Sequence, residues 1–339
     1  MAQLRTLVRS AGGDDTAALQ AALDAVAAAG GGEVLLSPGD FGYSDNLVVR
    51  ARTTLRAQGG ARLVSRNPER SSLFLEGPDV AVREVTIAGS AQKRSSSDRA
   101  MGLRGGGCTG LTIDGVTVRG VASGGILLRD CAGFRITGCL IEETFADGIH
   151  LTERSRQGIV AGNRCLATGD DGIACVGYQK DGDVVSHVAI TGNLVAGGKA
   201  RGIACLGAHH VSIAGNVITG TAAAGIYLAQ ENNYQTYAPR FVAVTGNVLS
   251  DVSKRVGHAG IFVRGGEGTR PTRDGRRLED AIVGITLVGN LLDGSGNDGV
   301  LVGDDVRAVA GSANLAVAVA RRRAVMGRRA GSVEVGGGE

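Results

Sequence analysis

The stretch GIHLTERSRQGIVAGNRCLATGDDGI, Gly148–Ile173, begins and ends on Gly-Ile and carries Gly162-Asn163 between. The same unit recurs along the chain. Gly-Ile or Gly-Val starts stand at Gly125, Gly148, Gly172, Gly202, Gly225, Gly260 and Gly299. Gly-Asn closes follow at Asn163, Asn193, Asn216, Asn247 and Asn290, with Cys139 in the Asn slot one unit earlier. The shortest spacings, Ile126 to Ile149 and Ile149 to Ile173, are 23 and 24 residues. Apolar runs of this length, punctuated by Gly and Asn, are too short for helices and suit strands. A short-strand repeat of this period predicts a solenoid, specifically an all-β, single-stranded, right-handed parallel β-helix. Equivalent residues of successive coils then stack about 4.8 Å apart, so sequence offsets become spatial neighbours.

Outward from that stretch, period-2 alternation puts Ile149 and Leu151 inside and His150 outside. Cys175 and Cys205 fall in the inward column that elsewhere holds Leu128, Leu151, Leu228 and Val263, so they read as small core residues. No CxxC or Cys/His metal spacing occurs. The Asn column reads as structural, at a turn position tolerant of left-handed geometry and able to bond along the stack. Residues 14–29, DDTAALQAALDAVAAA, predict an amphipathic helix with Leu19, Leu23 and Val26 on one stripe, placed to cap the first coil. The expected organisation is a β-helix domain over 1–305 and a C-terminal cap or disordered tail over 306–339, where the repeat breaks. Of 339 residues, 56 are Gly and 5 Pro, which fits many turns in one continuous stack. A net charge of +3 with interspersed signs gives no nucleic-acid surface, and no segment reaches membrane-spanning length.

Three segments lengthen the unit, and all leave after a Gly-Ile strand: Tyr178–Ser186, Ala229–Arg240 and Gly265–Asp280. Loops gathered on one side of a rigid stack make the walls of a groove. On that side the residue two before each Gly-Ile isoleucine reads Gly124, Asp147, Asp171, Arg201, Ala224 and Ala259. Asp147, Asp170 and Asp171 are therefore expected in one patch, with His150 one strand step along and Arg201 in the next coil. Crowded carboxylates divide into an acid and a base by mutual repulsion, the division glycosidic hydrolysis requires. Three close carboxylates also resemble a calcium site, and Asp-Gly is good turn chemistry in its own right.

FADGIHL (Phe145–Leu151) followed by TGDDGIAC (Thr168–Cys175) resembles the Asn-Thr-Asp and Gly-Asp-Asp motifs of polygalacturonases, inverting glycoside hydrolases on a right-handed parallel β-helix. Gly12–Phe41 is similar to the opening of pectate-lyase-like (pectin lyase-like) superfamily proteins more broadly. The resemblance implies that Asp147, Asp170 and Asp171 match the three family aspartates. The family's Gly-His-Gly falls on Ala200-Arg201-Gly202 and its Arg-Ile-Lys on Tyr227-Leu228-Ala229, so the histidine and the two bases that read a substrate carboxylate are missing. A neutral sugar, or another ligand stacking on Tyr227, fits better than polygalacturonate.

The leading expectation is a glycoside hydrolase with Asp171 or Asp170 as general acid, Asp147 as base partner and His150 in proton transfer. Arg201, Lys199, Tyr227, Tyr178, Lys180, Glu231, Asn233 and Tyr234 are the expected substrate contacts. Three alternatives stand beside it. One is a polysaccharide lyase or C5-epimerase on a uronate, with Ca²⁺ held by the aspartates. Another is an intracellular isomerase, cyclase or dehydratase on a small metabolite. The last is a non-catalytic glycan-binding or structural β-helix. The expected partner is an oligosaccharide or small molecule, with no nucleic acid, no membrane and, outside the lyase alternative, no cofactor or metal. MAQLRTLVRSAGG has no apolar export core, which reads as cytoplasmic, or as secreted if a signal has been trimmed.

Overall fold

The structure is a computed structural model, and it describes residues 4–266, 281–303, 306–317, 321–326 and 333–336. Its strands stack as parallel ladders. One sheet runs from Leu47–Val49 through Leu73–Pro78, Leu103–Thr109, Ile126–Arg129, Ile149–Thr152, Ile173–Val176, Ile203–Leu206, Ile226–Ala229 and Ile261–Arg264 to Asp298–Val302 and Arg321–Met326. The other strands form the remaining faces of the coil. A parallel stack wound by short crossovers takes the right-handed form, because right-twisted strands pack back on themselves only that way. This is the parallel β-helix expected from the repeat.

The register follows the sequence ruler. Ile126, Ile149, Ile173, Ile203, Ile226 and Ile261 pair coil to coil, as do Leu128, Leu151, Cys175, Cys205, Leu228 and Val263. Both columns are buried in the core. All six cysteines are free and buried.

The Asn column is a buried hydrogen-bonded ladder. Asn193 Oδ1 accepts from both the backbone N–H and Nδ2 of Asn163, each at 2.9 Å, while Asn193 Nδ2 donates to Val160 O at 3.0 Å. The pattern repeats through Asn216, Asn247 and Asn290. Among the described residues it reaches Asn314, a sixth member hidden from the sequence because Ala313 replaces the usual Gly. The turn geometry differs from the expected one. The left-handed residue is the Gly before each Asn (Gly192 at φ 63°), and the Asn itself is not left-handed. A Cβ at Gly192 meets nothing within 4 Å, so Gly192→Ala tests backbone strain alone. Urea unfolding should show a loss of about 1 kcal/mol; an unchanged midpoint would contradict the left-handed assignment.

The helix Thr16–Ala28 buries Leu19, Leu23 and Val26 as expected, and Asp14 Oδ1 accepts from the Thr16 N–H at 3.0 Å to satisfy its first turn. A strand the sequence reading missed, Leu4–Val8, precedes it and pairs with Gly32–Leu36. The helix packs against both of these strands and against Leu47–Val49. At the other end the stack runs on past residue 305. Val306–Val317 pairs in parallel with Ile282–Val288 and Leu291–Asp293, and Val333–Gly336 pairs with Val306–Val317. The break at Val306 is thus a break in motif, with no break in strand pairing among the described residues. No helix among them is long and apolar enough to cross a membrane.

Candidate active site

One face of the long sheet is the floor of a groove of about 520 Å³, within the usual range for small-molecule sites. The outward residues of successive floor strands are Leu127, His150, Ala174, Ala204, Tyr227 and Phe262, in register. Tyr178, Lys180, Asp181, Glu231, Tyr234 and Thr236, from the first two lengthened segments, form one wall. The third segment, Gly265–Asp280, lies almost wholly outside the described residues. A wall that the sequence reading missed comes from Arg94, Ser95, Ser96 and Asp98.

Asp147 and Asp171 are fixed by the coil above them. Asp147 Oδ1 accepts the backbone N–H of Asp171, and Asp171 Oδ1 accepts the backbone N–H of Arg201, both at 2.9 Å. Each carboxylate therefore holds one turn while its second oxygen is turned to other work. Asp147 Oδ2 lies 2.6 Å from His150 Nδ1, which orients the imidazole and leaves Nε2 for the groove. Asp171 Oδ2 lies 3.5 Å from Arg201 Nη1. Asp170 departs from its neighbours: its side chain is 31% exposed and its Oδ2 is bound by Arg94 at 2.9 Å. One ligand oxygen from each of Asp147, Asp170 and Asp171 can be chosen within 4.8 Å of the others.

Burial raises the Asp171 carboxyl to about 7, with Asp147 and Asp170 adding repulsion against the opposing pull of Arg201. The consequence for stability has a definite sign. Folded Asp171 keeps a proton that the unfolded chain releases near 3.8, so this stabilising contribution is present at low pH and lost as pH rises through about 7. Asp171→Asn should therefore raise the melting temperature relative to wild type more at pH 8 than at pH 4; equal shifts would contradict the raised value.

Arg201 closes the downstream end of this patch. Its Nη2 donates to Glu231 Oε1 at 2.6 Å, and its guanidinium lies 4.7 Å from the centre of the Tyr227 ring. Tyr227 is consequently 1% exposed, and the expected stacking of a ligand on it is not available: Arg201 and His258 cover it. His258, a residue the sequence reading left without a role, stacks on Tyr227 at 5.1 Å, and burial lowers it to about 4. Lys199 and Asn233 are exposed and stand away from the groove lining. Their offsets placed them near the site, but both side chains face solvent. Asp147, Asp170, Asp171, His150, Arg201, Tyr178, Lys180, Glu231 and Tyr234 do line one groove.

Fold and groove define a parallel β-helix protein with an acid-rich cleft on one face. The chain belongs to the family described as periplasmic copper-binding protein (NosD), whose model matches residues 85–256. Solved structures similar to it include the A-module of a mannuronan C-5 epimerase from Azotobacter vinelandii, with TM-score 0.70 and 15% identity over 96% of this chain and 97% of that one. A family 28 exopolygalacturonase from Yersinia enterocolitica matches with TM-score 0.71 and 14% identity, over 98% of this chain and 78% of that one. The catalytic domain of a GH87 α-1,3-glucanase in complex with nigerose matches with TM-score 0.72 and 16% identity, over 92% of this chain and 58% of that one. These likenesses are in fold, and they agree with the pectin-lyase-like and polygalacturonase-like architecture read from the sequence. No curated protein matches the sequence.

Proposed function

We propose that the groove hydrolyses a neutral glycan. The observation carrying this reading is the pairing of a buried Asp171, whose carboxyl is raised to about 7 by that burial, with an Asp147-oriented His150 in the neighbouring coil. Asp171 gives its proton to the glycosidic oxygen as the bond to the anomeric carbon breaks. Water attacks that carbon and yields its proton to His150 Nε2, so one water is consumed per bond. Asp170 is the poorer candidate for the acid because its side chain is more exposed than that of Asp171 and Arg94 binds its Oδ2 at 2.9 Å, against 3.5 Å from Arg201 Nη1 to Asp171 Oδ2.

Charge argues for a neutral substrate. Among the groove-lining residues, five carboxylates (Asp98, Asp147, Asp170, Asp181, Glu231), beside the Asp171 carboxyl raised to about 7, face four cations (Arg94, Arg129, Lys180, Arg201). Each of these cations already lies against a carboxylate. A uronate chain would meet surplus negative charge, which weighs against the lyase and epimerase reading. The relatives in fold named above include enzymes whose names state action on glycans, and that supports a carbohydrate ligand here.

No cluster of three imidazole or sulfur donors that would suit the copper of the family's description stands among the described residues. The one cluster of three candidate ligands is all carboxylate, a set suited to hard cations, whereas copper favours imidazole and sulfur. No step is assigned to copper. The word periplasmic in the same description favours the exported alternative over the cytoplasmic one.

The test is incubation of the protein with neutral α- and β-linked gluco-, galacto-, manno- and xylo-oligosaccharides, and in a second arm with uronate oligosaccharides, read by mass spectrometry and ultraviolet absorbance. Cleavage of at least one neutral oligosaccharide by wild type and none by Asp171→Asn is expected. Equal cleavage by both would remove Asp171 from the mechanism, and an unsaturated, ultraviolet-absorbing product from a uronate, lost on chelation, would establish the lyase reading instead.

A further inference from the structure

We infer that the groove is a blind pocket that takes the terminus of a glycan, so that the hydrolysis proposed above proceeds from chain ends. The inference rests on that carbohydrate reading and adds to it a mode of binding. A cleft that accommodates the middle of a polymer must run open at both ends along the stack. This one is tied across at each end. Downstream, Arg201 bridges Asp171 on the floor and Glu231 on the wall. Behind Arg201 the floor rises from Ala174 and Ala204 to Tyr227 and Phe262, which pack with His258 into a buried aromatic block. Upstream, Arg129 bonds both Asp98 at 3.2 Å and Glu153 at 3.0 Å, and Arg104 reaches Asp98 at 3.6 Å while lying over Phe74. Arg94 ties the same wall to Asp170.

Between these ties the lining runs from Met101 to Leu206, about four coil steps of roughly 4.8 Å. That is room for a few sugar units. Asp171 is itself held by the downstream tie, so the bond it protonates lies next to the closed end. The short side holds the unit released, and the rest of the chain leaves through the open top of the pocket.

Binding tests this separately from turnover. The His150→Ala protein, which lacks the proposed base and keeps both ties, is titrated calorimetrically with neutral oligosaccharides of each linkage, at three and at eight units. A terminus-binding pocket gives affinities within about threefold for the two lengths. An affinity that rises tenfold or more from three to eight units shows an open, running cleft and overturns the inference while leaving the carbohydrate reading intact. No binding to any neutral oligosaccharide overturns the carbohydrate reading, and the inference with it. With wild type acting on the eight-unit chain, one short product from the earliest time point supports end-wise attack; a ladder of intermediate lengths contradicts it.

Discussion

If the proposed hydrolysis holds, Asp171→Asn is expected to lower turnover about 10³-fold, the contribution of a well-placed general acid, with a much smaller change in KM. The asparagine keeps a side-chain oxygen for the Arg201 N–H that Asp171 now accepts at 2.9 Å, so the turn survives, while the proton and the 3.5 Å contact of Oδ2 with Arg201 Nη1 are lost. The size of the effect follows from placement. Burial beside Asp147 and Asp170 raises Asp171 to about 7, so the acid form is present at and below neutrality. Wild-type activity should fall as pH rises through about 7, as the acid form is depleted. Asp170→Asn, which breaks the contact with Arg94 on the rim, should cost far less. A variant Asp171→Asn with more than a tenth of wild-type turnover would contradict the assignment.

Asn193→Ala destabilises the fold by about 3 kcal/mol or more. The substitution takes the shared acceptor from the Asn163 N–H and from one Nδ2 hydrogen, the other staying on Ile136 O, and removes the Nδ2 donor of Val160 O, all in the buried interior. Each buried polar group left unpaired costs about 1–3 kcal/mol. Residue 193 keeps its backbone bond to Asn216 Oδ1 but loses the Nδ2 bond to the same oxygen, so the larger loss falls on the coil before it and a smaller one on the coil after. Chemical denaturation with Asn233→Ala as the control separates the ladder from asparagine in general. Asn233 is exposed, and its replacement should stay within about 0.5 kcal/mol. Equal stabilities for the two variants would show that the ladder does not hold the coils together.

The repeat made the fold legible because a parallel stack turns sequence period directly into register. Cys175 on Cys205 and Asn193 on Asn216 are consequences of that single rule. The lengthened segments likewise announced one groove wall, and Tyr178 and Glu231 stand on it. The ruler failed where contacts do not run along the stack. Arg94 meets Asp170 across 76 residues, from a stretch before the repeat becomes regular, and no offset links them. Tyr227 looked like a stacking platform because its column faces outward. Only the reach of Arg201 over it, from the neighbouring coil to Glu231, shows that the ring is covered. Lys199 and Asn233 share the site's position along the stack, but their side chains face solvent. Asn314 escaped because the motif was defined by Gly, although Ala313 adopts the same left-handed turn at φ 54°.

The most direct measurement is a crystal structure of the Asp171→Asn protein with a bound neutral oligosaccharide from the panel. The account predicts the sugar chain's end in the pocket between Arg129 and Arg201, its terminal glycosidic oxygen within hydrogen-bonding distance of residue 171, and His150 facing the adjacent anomeric carbon. A sugar seated on another face of the β-helix, or crossing over the Arg201–Glu231 tie as a continuous chain, would contradict it.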